Sequence, residues 1–84
     1  MQTVSADNQP MSQRNRVCHI LRELIISGEL TSGTQLKQDD LAKQFDCSPG
    51  PIREALRDLE SEGLVQYFLN RGAYVSSIDR RAHV

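Results

Sequence analysis

Two arginines in the second half of the chain have the residue type and spacing for recognition of a nucleic acid. Arg53 and Arg57 lie four residues apart, outside the apolar positions Ile52, Leu56 and Leu59. The forked guanidinium of an arginine donates two parallel hydrogen bonds, which match O6 and N7 of a guanine or two phosphate oxygens. We therefore predict that Arg53 contacts a base and that Arg57 contacts phosphate.

Each arginine also has a plain surface alternative. Arg53 can be a solvated side chain paired with Glu54 or Asp58, and Arg57 can pair with Glu60 or Glu54 at helical spacing. These pairs would occupy the guanidinium groups without any partner molecule.

The residues ahead of Arg53 form a helix start. Ser48 is a good N-cap, and Pro49 follows at the first helical position, where its missing N–H costs nothing. Free N–H groups at this end, near Ser48 and Gly50, attract a phosphate. Simple capping by Ser48 is the alternative, and both can hold together. Pro49 and Gly50 can offer a partner apolar contact or a close backbone approach.

A second candidate contact lies in a turn further along the chain. Arg71 can enter a minor groove, and Gly72 permits close backbone approach beside it, with Asn70 in the same turn. The alternative is a solvated arginine at the tip of a hairpin. Lys37 and Lys43 are expected to be ordinary surface lysines.

Periodicity predicts the elements that carry these residues. The apolar stripes have helical spacing in three segments, and the pattern changes to short strands after Gly63. The expected elements are helices over 12–27, 38–45 and 48–63, a short strand at 35–37, and a hairpin of 64–68 with 73–76. A tight turn between the second and third helices and a hairpin after the third describe a winged helix-turn-helix, mainly α with a small β-hairpin.

Length allows one small domain. Residues 1–11 are polar and are expected to form a disordered arm, residues 12–76 the winged helix-turn-helix domain, and residues 77–84 the start of a linker or tail. No stretch has the apolar length of a membrane span or the pattern of a signal peptide, so we expect a cytoplasmic protein.

The sequence gives little support to a metal site, a cofactor or an enzyme. Cys18 and Cys47 are the only cysteines, with His19 and His83 as the only other soft ligands, and a zinc site needs about four at close spacing. The cysteines are expected to be small apolar residues in a reducing compartment. No nucleophile and base stand in a catalytic pattern.

Net charge argues against strong electrostatic steering toward nucleic acid. The chain carries −1 overall, and residues 35–75 hold five bases against seven acids, a net charge of −2. A binding face must therefore be a local basic patch on an acidic body, with weak binding at physiological salt.

The motifs in order resemble the DNA-binding domain of the GntR family of transcription regulators, most closely the FadR-like subfamily. The matching runs are Leu24-Ile25-Ile26-Ser27-Gly28-Glu29-Leu30, Asp40-Leu41-Ala42, Pro51-Ile52-Arg53-Glu54-Ala55-Leu56, Leu59-Glu60-Ser61-Glu62-Gly63-Leu64-Val65 and Asn70-Arg71-Gly72-Ala73. Together they span most of the predicted domain.

The resemblance implies a winged helix that binds double-stranded operator DNA as a homodimer and so represses or activates transcription. It also implies that a larger helical domain, which is absent from this chain, binds a small-molecule effector, so the chain alone is expected to be monomeric. Arg53 matches the family's contacting arginine and Gly72 its wing-tip glycine. The family commonly has Arg-Thr where this chain has Pro49-Gly50, and some members have a basic residue in place of Asp39, so the operator sequence does not carry over.

A rival interpretation is a winged helix used for protein association, with the acidic balance facing a partner. Salt separates the two, because DNA binding weakens steeply as salt rises whereas an apolar protein contact does not.

Overall fold

The computed structural model describes residues 12–77, and the predicted arm at 1–11 and all but the first residue of the predicted tail lie outside the described residues. Within that range the chain forms three helices and a three-stranded antiparallel sheet. The elements are α1 Gln13–Ser27, β1 Gln35–Leu36, α2 Gln38–Phe45, α3 Pro49–Ser61, β2 Val65–Phe68 and β3 Gly72–Val75. The predicted order of elements is confirmed.

Local signals at both ends define α1. The Ser12 hydroxyl accepts a hydrogen bond from the Asn15 N–H at 3.1 Å, which satisfies one of the unpaired donors of the first turn. Gly28 ends the helix in a left-handed conformation, with φ of 90°, and its N–H donates to the Ile25 carbonyl. Both ends agree with the sequence prediction.

The core lies between the apolar sides of the helices and the inner face of the sheet. Val17 and Leu21 of α1 meet the apolar side of α3, where Ile52, Leu56 and Leu59 are fully buried. The remaining core residues are Cys18, Leu36, Leu41, Ala42, Ala55, Leu64, Val65, Ala73 and Val75. Every element therefore contributes at least one buried side chain.

Two ion pairs tie α1 to the solvent edge of α3. Arg14 donates to both carboxylate oxygens of Asp58, at 2.7 and 2.8 Å, and Arg22 donates to both oxygens of Glu62, at 2.8 and 2.6 Å. Each pair is bidentate, so it constrains the rotation of one helix against the other as well as their separation.

The turn between α2 and α3 is tight. Asp46 adopts a left-handed conformation, with φ of 55°, and the Cys47 N–H donates back to the Ala42 carbonyl at 3.0 Å. Arg16 of α1 reaches this turn and donates to the Phe45 carbonyl at 2.9 Å, with its guanidinium over the Phe45 ring. The end of α2 is thus held from α1 as well as from within.

The sheet has the order β1-β3-β2. Gln35 pairs with Tyr74 and Leu36 with Ala73, while β2 and β3 form the hairpin that follows α3. Alternation places Leu36, Tyr67 and Ala73 on the face toward the helices. The hairpin, called the wing below, comprises residues 65–75. None of the helices in the described range is long and apolar enough to cross a bilayer.

The two ion pairs predict a specific pH dependence of stability. The hydrogen bonds from Arg14 and Arg22 hold the pKa values of Asp58 and Glu62 below their ordinary range. A carboxyl with a lowered folded-state pKa stabilises the fold fully above the unfolded-state pKa, about 4, and loses that contribution as pH falls through the folded-state pKa. The wild-type chain should therefore lose thermal stability in acid faster than Asp58→Asn with Glu62→Gln.

Thermal unfolding followed by circular dichroism between pH 7 and pH 3 measures this difference. The gap in Tm between the two proteins should be largest near neutral pH and should close in acid. A gap that is constant across the range would contradict a contribution from these carboxylates.

Candidate nucleic-acid interface

Two of the carboxylates at the C-terminal end of α3 lie away from Arg53, whereas Glu60 lies on the same side, about 20° around the helix from it. At about 100° per residue, Asp58 and Glu62 lie about 140° and 180° around the helix from Arg53. The carboxylates face α1 and are paired there. Arg53 and Arg57 lie on the side that adjoins the wing, since the Arg57 guanidinium stacks on Tyr67 of β2. The edge where α3 meets the wing therefore presents two arginines, with Glu60 beside them.

Arg53 is exposed, and neither surface alternative for it is realised. None of the side-chain hydrogen bonds or ion pairs found among residues 12–77 involves Arg53. Asp58, one of the two acids considered as its partner, is occupied by Arg14 instead. The guanidinium of Arg53 is available to an incoming partner.

Arg57 is engaged by two neighbours. Its guanidinium donates to the Glu60 carboxylate at 3.2 Å, the i,i+3 pair considered from the sequence, and its central carbon lies 4.2 Å from the centre of the Tyr67 ring. The side chain nevertheless remains 60% exposed, so its outer edge is open to solvent. The ion pair with Glu60 is itself largely solvated and weak.

The start of α3 departs from the expected capping. Ser48 is the N-cap residue, but its side chain makes no capping hydrogen bond. An N-cap side chain accepts from the second or third helical N–H, and the third position is Pro51, which has none. Pro49 lacks an N–H as well, so Gly50 retains the one N–H among the first three helical residues. Of the four N–H groups that a helix start leaves without an intrahelical partner, those of Ser48 and Gly50 therefore remain, because Pro49 and Pro51 have none.

The wing tip is held in a defined conformation by two residues with positive φ. Asn70 has φ of 65° and Gly72 has φ of 93°, and the Arg71 N–H donates to the Phe68 carbonyl at 2.9 Å. The positive φ is the reason that glycine is favoured at position 72. Crowding is not the reason, since the Gln35 side-chain nitrogen, at 4.0 Å, is the nearest atom to where a Cβ would be. All three tip residues, Asn70, Arg71 and Gly72, are exposed.

Gln35 is a positioning residue for the wing that the sequence did not indicate. Its side-chain amide donates to the Arg71 carbonyl at 3.0 Å, which links β1 to the wing tip. Strand alternation could have placed Gln35 on the outer face, but the register of β1 against β3 was needed to bring it beside Arg71.

The three aromatic residues of the wing divide between its two faces. Phe68 and Tyr74 meet edge to face across the hairpin, with ring centres 5.5 Å apart. Tyr67 is different, because it lies on the inner face and packs beneath Arg57. The aromatic rings of the wing therefore make contacts on both of its faces.

Metal-binding clusters are absent from the part of the chain that the structure describes. Both cysteines there are free thiols: Cys18 is buried, and Cys47 is half-buried against the core. Burial raises the pKa of the Cys18 thiol, so the protonated form is favoured. Both side chains pack with the core, and the Cys18 sulfur also accepts a hydrogen bond from Arg22 at 3.2 Å.

Comparison with known proteins places the whole described fold in one family. The family described as bacterial regulatory proteins, gntR family, matches residues 13–75. The HTH-type transcriptional repressor RspR of Escherichia coli is 36% identical over 70 residues, which cover 83% of this chain and 30% of that protein. The gluconate operon transcriptional repressor of Bacillus licheniformis is 49% identical over 51 residues, which cover 61% of this chain and 21% of that protein. The chain thus spans about a quarter of the length of the curated relatives it matches.

Solved structures agree with the sequence relatives. A GntR family regulator from Pseudomonas syringae superposes with a TM-score of 0.76 at 42% identity, over 83% of this chain and 30% of that one. The DNA-binding domain of AraR, solved in complex with operator ORR3, superposes with a TM-score of 0.74 at 25% identity. The match covers 81% of this chain and 83% of that one. The three-helix and wing architecture is common to both. This chain belongs to the gntR family of bacterial regulatory proteins.

Proposed function

We propose that this chain is the sequence-specific DNA-binding domain of a bacterial transcription regulator, with α3 in the major groove and the wing at the minor groove. The observation that carries the proposal is the exposed guanidinium of Arg53, which has no ion-pair partner among residues 12–77, on the side of α3 that Arg57 shares with the wing. The operator complex of AraR, which has the same fold, supports this use of the domain. In this proposal the chain acts by binding, not by catalysis, and in the cytoplasm.

The other candidate residues take supporting roles in this proposal. Arg53 reads a base edge, while Arg57 contacts phosphate after it exchanges Glu60 for a phosphate oxygen. Pro49 and the Gly50 N–H approach the DNA backbone together with Ser48. At the wing, Arg71 enters the minor groove, and Asn70 and Gly72 shape the turn that presents it.

Three further properties follow the family resemblance. We propose membership of the FadR-like subfamily, a homodimer in the longer protein, and an effector site in a domain outside this chain. The runs from Leu24 to Leu30 and from Pro51 to Leu56 support the subfamily. The share of the relatives' length that this chain spans is compatible with a further domain in the complete regulator.

Protein association is the second candidate function, because Phe68 and Leu69 at the wing tip are exposed apolar side chains, 49% and 89% accessible. An apolar contact made there would be insensitive to salt, whereas phosphate contacts are lost steeply between 50 and 200 mM salt. A salt titration of whichever complex forms therefore separates the two functions.

The first prediction concerns Arg53. Replacing Arg53 with Ala should abolish discrimination between the preferred duplex and a scrambled one, because a bidentate base contact is worth about 1–3 kcal/mol. The duplex is obtained by selection from a random pool with the wild-type chain, and affinity is measured by gel shift. Arg14→Ala is the matched control, since it removes the same charge from α1, next to Asp58 on the side of α3 away from Arg53. Equal discrimination by Arg53→Ala and the wild-type chain would contradict the role of Arg53.

The second prediction concerns Pro49 and Gly50. Replacing them with the family's Arg-Thr should leave the fold intact, because the conformation at Gly50 is not left-handed and no atom lies within 4 Å of an added Cβ. It should raise affinity and add a preference for guanine at one position, since an arginine there gains a two-point contact. Parallel selection from a random pool with both proteins tests this. If the two recover one consensus at equal stringency, this pair does not determine specificity.

The third prediction concerns oligomeric state. Among the described residues, Ile26 is the one large apolar side chain of a helix that is exposed, so the helices offer no apolar stripe for dimerisation. The 84-residue chain should therefore sediment as a monomer at micromolar concentration and bind a half-site weakly. Sedimentation velocity checks the first expectation, and a tight dimer would refute it.

A further inference from the structure

We propose that Tyr67 is a positioning residue for DNA binding, which holds Arg57 of α3 at the junction with the wing so that its guanidinium meets the sugar-phosphate backbone there. The inference rests on the proposed function and assigns a role to a wing residue that contacts no DNA itself. Its basis is the stack of the Arg57 guanidinium on the Tyr67 ring, at 4.2 Å from the ring centre.

The ring of Tyr67 is fixed by the fold. Tyr67 pairs with Ala73 on β3, and Ala73 pairs in turn with Leu36 on β1. The tyrosine therefore lies on the inner face of the three-stranded sheet. The side chain is partly buried against the core. An arginine on an exposed helix samples many rotamers, and a fixed aromatic face below it restricts the plane and position of its guanidinium.

The hydroxyl of Tyr67 takes no part in this arrangement. It is buried and has no hydrogen-bond partner among the described residues. Burial also raises the pKa of Tyr67, so the hydroxyl stays neutral. The aromatic ring is therefore the part of Tyr67 that acts on Arg57, and phenylalanine should replace it.

Glu60 provides the other contact of Arg57 and can be exchanged for DNA. The Arg57–Glu60 pair is 3.2 Å long between side chains that are 60% and 39% exposed, so solvent screens it. Exchange of this carboxylate leaves the contact between Arg57 and the Tyr67 ring unbroken. When phosphate replaces the carboxylate, the stack keeps the guanidinium in place.

The test compares Tyr67→Phe with Tyr67→Leu in the 84-residue chain, using the duplex selected by the wild-type chain. Tyr67→Phe should bind with the wild-type affinity and salt dependence. Tyr67→Leu should lose about two- to five-fold in affinity, as expected for a cation–π contact at an exposed site. The slope of log affinity against log salt should also become shallower by up to about 0.9, the value for one phosphate contact.

A double-mutant cycle separates positioning from a general structural effect. In an Arg57→Ala background, Tyr67→Leu should cause no further loss of affinity, because the residue it positions is gone. Additive losses, a wild-type salt slope in Tyr67→Leu, or an equal loss in Tyr67→Phe would each overturn the proposal. If Tyr67→Leu fails to fold, Arg57→Lys decides, since it keeps the charge and loses the planar stack: a several-fold loss supports the proposal and unchanged affinity overturns it.

The proposed function and this inference fail in different ways. A wild-type chain that selects no duplex from the pool would refute DNA binding and, with it, the role of Tyr67. A wild-type chain that binds normally, with Tyr67 variants that behave otherwise than described, would refute the role of Tyr67 alone.

Discussion

Burial of one side of α3 against α1 is the interaction on which the rest of the molecule depends. Ile52, Leu56 and Leu59 are removed completely from water, and each such side chain contributes about 1.5–3 kcal/mol. The ion pairs of Arg14 and Arg22 are partly exposed and screened by solvent, so each contributes less to stability than a buried apolar side chain. The apolar seam therefore supplies the stability, while the bidentate pairs fix the angle at which α3 is presented.

The ion pairs beside this seam occupy two acids of a negative chain that is proposed to bind a polyanion. Asp58 and Glu62 form ion pairs with Arg14 and Arg22 of α1, on the side of α3 away from Arg53. Arg53 is left unpaired among the described residues, and Arg57 is held at the wing by an aromatic ring and one solvated carboxylate. Total charge is a poor guide in a small domain like this one, because pairing inside the fold decides which charges remain for a partner.

Much of this architecture could be predicted from the sequence, because the signals are local. Ser12, Gly28, Asp46 and the apolar spacing of each helix specify where elements begin and end through short-range hydrogen bonds and burial. The missing cap at Ser48 could also have been found, since a proline at the third helical position removes the donor that the cap would use.

The remaining features depend on distant parts of the chain. The Gln35 bond to the wing tip and the Tyr67 stack on Arg57 join residues 36 and 10 positions apart, and each depends on strand register or on how the wing lies against α3. Periodicity identifies which residues face inward, but it does not say which neighbour an inward ring will meet. The pairing of Asp58 with Arg14 instead of Arg53 escaped prediction for the same reason.

The short strand β1 has a consequence for how the domain comes apart. Its pairing with β3, extended by the hydrogen bond from the Gly33 N–H to the Val75 carbonyl, joins the chain before α2 to the second strand of the wing. The helix-turn-helix is therefore enclosed in a loop whose two ends are hydrogen-bonded together. Such closure couples the segments, so opening the wing also releases the start of α2, and unfolding is expected to be all-or-none. The helix-turn-helix is therefore not expected to fold when it is separated from the domain. A peptide of α2 and α3 alone would lack both the apolar contact with α1 and the pairing of β1 with β3, which together hold the two helices in place.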